Sequence, residues 1–233
     1  MRRCECSKPI REAASKDTVY CDQCLPDDFS QFPRKEGQVP GSLMLASPDA
    51  PKIGKVFSVV DGYRTQLGYM FRVAEDKNAS HLVMPFHFDE FSHGGSLEVL
   101  INNEIHPLDK SKMKRYMSTD ACIYLDDKLR NNFSILKFTD VTDVSTYIQV
   151  ERSDSSGEKK WYNMPSTSFN KVVSGSSEYQ HTSQSDFGDC GTPVRINSGQ
   201  VVGFHVGRSG MGYNLYFRLS SEFFGWAAYQ KSI

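Results

Sequence analysis

Short β-prone runs cut apart by turn residues constrain this chain most. Lys55-Val56-Phe57-Ser58-Val59-Val60 stops at Asp61-Gly62, and a second run, Thr65 to Val73, stops at Asp76-Lys77-Asn78. His81-Leu82-Val83-Met84-Pro85-Phe86 follows as a compact apolar stretch, then Ala121 to Leu125, Phe133 to Phe138 and Tyr147 to Val150. Past the turn at Ser153 to Gly157 come Lys160 to Met164, Phe169 to Val173, Thr192 to Ile196, Gln200 to Val206 and Tyr213 to Leu219. So many short strands predict an all-β sandwich or barrel. Only the stretch from Ser221 to Tyr229 reads as a helix, with a serine at its start, Glu222 in the first turn and Gly225 against it.

A chain of 233 residues can form one large β-domain or two small barrels sharing an interface. Its formal net charge of −1 argues against a diffuse attraction to nucleic acid or acidic membranes. No apolar run is long enough for a transmembrane helix. Met1-Arg2-Arg3-Cys4 leads into polar residues, so no secretory signal is expected and the cysteines are expected in a reducing compartment.

Four of the six cysteines crowd the start of the chain. Cys4-x-Cys6 and Cys21-x-x-Cys24 offer two thiolate pairs, enough for a closed tetrahedral structural Zn²⁺ site. With few apolar residues around it, this ribbon or knuckle would need the metal to fold. The segment, residues 1–36, ends in the linker Phe32-Pro33-Arg34-Lys35-Glu36-Gly37.

Phe187-Gly188-Asp189-Cys190-Gly191-Thr192-Pro193 sets a cysteine between glycines. Such a turn can expose the sulfur and gather backbone N–H groups, those of Gly188, Asp189 and Cys190, into an oxyanion hole. That role needs only the backbone of Asp189. A short G-x-C-G match also describes a small buried cysteine in a tight turn. The two readings separate at Gly203-Phe204-His205-Val206-Gly207, where His205 stands fifteen residues beyond Cys190.

Here the chain resembles the 3C and 3C-like cysteine proteases of picornaviruses and related positive-strand RNA viruses. Their G-x-C-G turn is followed by a hairpin ending in G-x-H-x-G. The resemblance covers about residues 50 to 220 and is strongest from Cys190 to Gly207. It implies a chymotrypsin-like double β-barrel with a short C-terminal helix: residues 37–144 as the first barrel and 145–233 as the second. It also implies Cys190 as nucleophile and His205 in the S1 pocket, reading glutamine or glutamate at P1. Ser185 stands where the family often has a threonine lining S1, with Thr182 and His181 a little upstream.

A cysteine nucleophile needs a histidine base, and usually an acid to orient it. His87, where an apolar strand gives way to a turn, is favoured over His81, at the far end of that strand; His93, His106 and His181 are the other candidates. Asp120, ahead of Ala121-Cys122-Ile123-Tyr124-Leu125, is the favoured acid over Asp126, Asp127, Glu98 and Glu104. His87, Asp120 and Cys190 then follow the chain order of chymotrypsin-like enzymes.

The expected partner is a viral polyprotein substrate, in the host cell cytoplasm. Lys137-Phe138-Thr139-Asp140-Val141 resembles the K-F-R-D-I segment that picornaviral 3C proteases use for RNA. Threonine replaces its arginine, so any RNA binding is expected to be weak. The competing reading is a non-enzymatic, protease-like module with a zinc knuckle that holds viral RNA or a replication partner.

Overall fold

The computed structural model describes residues 44–47, 49–77, 79–92, 94–141, 144–166, 177–208 and 214–233. In chain order it has β1 (Leu45–Ala46), β2 (Gly54–Val60), β3 (Tyr63–Ala74), β4 (Ser80–Pro85) and the short helix α1 (His87–Phe91). Next come β5 (Ser96–Ile101), β6 (Glu104–Leu108), β7 (Met113–Arg115), β8 (Ala121–Tyr124), helix α2 (Asp127–Arg130) and β9 (Ile135–Lys137). The second half holds β10 (Thr146–Ser153), β11 (Lys159–Ser166), β12 (Glu178–His181), β13 (Pro193–Ile196), β14 (Val201–Arg208), β15 (Asn214–Arg218) and helix α3 (Ser221–Ser232).

These strands form two curled sheets. The first runs β6-β5-β2-β3-β4-β8-β7, with β9 paired parallel to β3; the second runs β1-β11-β10-β13-β14-β15-β12. Among the described residues every other pairing between these strands is antiparallel, and an isolated parallel bridge joins Phe138 to Val201 of β14. Leu45–Ala46, within the stretch assigned to the first barrel from sequence, joins the second sheet through β11.

Alternation along the strands sorts side chains into three apolar clusters. Met70, Leu82, Met84, Leu97, Val99 and Cys122 fill the inside of the first sheet. Ile148, Val150, Met164, Val194 and Tyr216 fill the inside of the second. Between the sheets lie Phe71, Val83 and Ile123 from one side and Phe204, Val206 and Phe217 from the other, closed over by Phe223, Phe224 and Ala227 of α3. Ser220 caps that helix by accepting from the Phe223 N–H. Gly225 is tolerated because its position faces open space, with nothing within 4 Å of where a Cβ would stand.

Several expected elements differ. The strand expected from Phe133 to Phe138 is three residues long, Ile135–Lys137, and Phe169 to Val173 lies outside the described residues. The β5–β6 hairpin escaped the sequence reading, although Asn102-Asn103 marks its turn: both residues have positive φ, 52° and 61°, as a two-residue hairpin turn requires. No helix among the described residues is long and apolar enough to cross a membrane.

Candidate active site

The ladder between β4 and β8 sets Pro85 opposite Ala121, and just beyond it the Phe86 N–H donates to the Asp120 carbonyl at 3.0 Å. His87 and Asp120 therefore meet where both strands end. The Asp120 carboxylate accepts from the His87 backbone N–H at 2.9 Å and pairs with His87 Nδ1 at 2.8 Å. Both side chains are buried, Asp120 completely. Two contacts to one carboxylate fix the imidazole's orientation and leave Nε2 as its other working atom. Phe88 and Phe91 pack edge-on against the ring, with centroids 5.1 and 5.6 Å away.

The other histidines lie elsewhere. His81, at the opposite end of β4, packs on Phe224. His106 is on β6, with Nε2 3.7 Å from Glu104, and His93 is outside the described residues. Each rival acid has another partner: Asp126 caps α2 and meets Lys112, Asp127 pairs with Arg130, and Glu98 pairs with Arg64.

Cys190 sits in a turn held from both sheets. Gly188 and Gly191 have φ of 94° and 85°, a region where glycine is favoured. The Cys190 carbonyl accepts from the Tyr69 N–H of β3 at 2.7 Å, and Gln66 Nε2 donates to the Gly188 carbonyl at 3.2 Å. A Cβ on Gly191 would stand 1.9 Å from the Tyr69 oxygen and 3.0 Å from Pro85 Cδ. One on Gly68 would meet the Cys190 carbonyl oxygen at 1.9 Å and the Phe88 ring at 2.7 Å. The turn is thus wedged between β3 and the β4–α1 junction that carries His87. From the second sheet, the Gly191 N–H donates to the His205 carbonyl at 2.6 Å, and the His205 N–H to the Thr192 carbonyl at 2.9 Å.

Two features of this turn differ from the sequence reading. The Asp189 N–H donates to the Asp186 carbonyl at 3.1 Å, so it is already engaged within the turn and not aimed at an oxyanion. Its side chain is also in use: Arg152 of β10 binds the carboxylate through two N–H···O contacts of 2.9 and 2.5 Å. Nothing local in the sequence marked Arg152, which is 37 residues away along the chain.

His205 of β14 is completely buried. Its neighbours Phe204 and Val206 pack between the sheets, so its imidazole faces the other way. There Nδ1 lies 2.8 Å from Nε2 of His181, at the end of β12. Ser185 is buried in the stretch that joins β12 to the cysteine turn. The expected zinc ligands Cys4, Cys6, Cys21 and Cys24 lie outside the described residues. Among the described residues no group of three or more His, Cys, Asp or Glu could hold a metal ion.

No protein-family model and no curated protein sequence matches the chain. Solved structures do match. The product complex of tobacco etch virus protease aligns over 80% of this chain and 82% of its own, at 15% identity and a TM-score of 0.58. The serine protease domain of the Sesbania mosaic virus polyprotein aligns over 76% and 93%, at 17% identity and a TM-score of 0.52. A Glu endopeptidase aligns over 84% and 100%, at 14% identity and a TM-score of 0.60. The chain has the chymotrypsin-like fold of these proteases, as its resemblance to the viral enzymes implied.

Proposed function

We propose that the chain is a cysteine endopeptidase that processes a viral polyprotein, its two curled sheets serving as the two barrels of the fold. One observation carries this reading: a buried His87–Asp120 pair beside a glycine-flanked turn whose central residue is Cys190. Viral polyprotein proteases among the structural neighbours support it, and one of them is a serine enzyme. Here the residue at the turn is a cysteine. RNA binding gains no support from the structure or the comparisons.

In the proposed reaction Asp120 holds His87 with Nδ1 engaged, so that Nε2 takes the Cys190 proton. The thiolate attacks the scissile carbonyl carbon. The oxyanion is received by turn amides, assigned to Gly188 and Cys190 on either side of Asp189. His87 then returns the proton to the leaving amine. Water, deprotonated by the same imidazole, hydrolyses the thioester. His205 is proposed as the S1 residue, with Ser185 beside it, selecting glutamine or glutamate at P1.

Thiol chemistry tests this reading. Cys122 is completely buried on β8, and burial pushes its thiol well above the ordinary cysteine value. Brief iodoacetamide treatment followed by mass mapping is expected to label Cys190, abolish cleavage and leave Cys122 intact. Equal labelling of both thiols with activity retained would remove Cys190 from the mechanism.

A further inference from the structure

The residue before Cys190 carries a charged side chain into the interior. Asp189 is 2% exposed, and its carboxylate oxygens meet both terminal nitrogens of Arg152. The same carboxylate accepts the Asp186 N–H at 2.6 Å. Burial pushes the Asp189 carboxyl up, and the guanidinium beside it opposes that shift. One carboxylate thus ties the start of the turn, its penultimate residue and β10 together.

We infer that Arg152 is a positioning residue for the oxyanion turn. The inference rests on the endopeptidase reading above and concerns the same site. Asp189 lies between the two residues whose amides are assigned to the oxyanion. The peptide plane after it carries the Cys190 N–H. The plane before it carries the Gly188 carbonyl, held by Gln66, and so fixes the residue whose own N–H lies one plane further back. Rotating either plane swings the carboxylate off the guanidinium. A bidentate contact fixes orientation as well as distance, which a lysine's single ammonium does not. Without Arg152 the carboxylate would be a buried, uncompensated charge, and the turn would rearrange to bring it to water. β10 is well placed for this task. The neighbouring Glu151 binds Lys55 of β2 at 2.8 Å, so the strand is tied to the first sheet beside its contact with the turn.

The test separates oxyanion chemistry from thiolate chemistry. Alkylation by iodoacetamide needs a reactive, accessible sulfur and develops no oxyanion. Peptide cleavage, and capture of a P1-glutamine peptide aldehyde as a hemithioacetal, both need one. In the full chain, Arg152→Lys and Arg152→Met are expected to lower kcat, the lysine by roughly tenfold and the methionine by roughly 100-fold or more. KM should stay within about threefold, aldehyde affinity should fall with kcat, and Cys190 alkylation should keep its wild-type rate. If Arg152→Met does not fold, Arg152→Lys and Asp189→Asn carry the test. Wild-type kcat in Arg152→Lys, or alkylation slowing in step with kcat, would overturn the inference. If the unaltered chain cuts no glutamine peptide, the endopeptidase reading itself falls.

Discussion

Two buried imidazoles 2.8 Å apart share one hydrogen. Under the proposed S1 role, His181 donates from Nε2 to His205 Nδ1 and His205 keeps its own hydrogen on Nε2, the donor that a P1 glutamine carbonyl requires. A leucine at P1 would leave that donor buried and unpaired, and sites built this way reject such analogues by on the order of 10⁴-fold. His205→Ala is therefore expected to lose most of the Gln-over-Leu preference while Cys190 still reacts with iodoacetamide. Full Gln preference in that variant, measured as kcat/KM on paired peptides, would place S1 elsewhere. His205 drew attention in the sequence through a local pattern, its spacing from Cys190, and its S1 role belongs to the proposal. Its partnership with His181 was not legible, because it crosses β15 and depends on the pairing of His205 with Tyr216 and of His181 with Asn214. The Asp189 side chain was likewise invisible, since its partner Arg152 comes from a strand far off in sequence.

Among the elements, β4 shows how one strand separates two histidines. All six of its residues are buried, which makes it an apolar run in the sequence and leaves no alternation to give its faces. His87 emerges past its end to meet Asp120, whereas His81 is sealed against α3. Burial, with Lys231 and Arg130 nearby, pulls the His81 imidazole down to about 4. A base whose folded value lies below its unfolded one favours folding while neutral. Its contribution is thus whole above pH 6.5, the ordinary value, and is lost as pH falls from there toward 4. Between pH 7 and 4.5 that loss amounts to about 2 kcal/mol. Urea unfolding at both pH values is expected to show a steeper acid loss in the wild type than in His81→Phe. Identical losses would mean that His81 is not held neutral in the fold. The short α1 lay beyond sequence reading for another reason: its five residues span little more than one turn, too few for a helical period.

At the scale of the whole molecule, the cysteine turn is one place among the described residues where the two sheets share backbone and side-chain contacts. Tyr69 and Gln66 hold it from β3, Arg152 from β10, and the His205 backbone from β14. Lys55 and Glu151, 96 residues apart, join the sheets close by. Contacts of such range leave no mark in a local window, which is why strand content and the cysteine motif could be read while the assembly around them could not. In the proposed mechanism cleavage depends on Cys190 above every other residue. The most direct measurement is incubation of the full chain and its Cys190→Ala variant with a small panel of glutamine-containing peptides, the products identified by mass. Cleavage after glutamine by the wild type, with none by a Cys190→Ala protein that unfolds at the same urea concentration, is the expected result; cleavage at equal rates by both, or by neither, would contradict it.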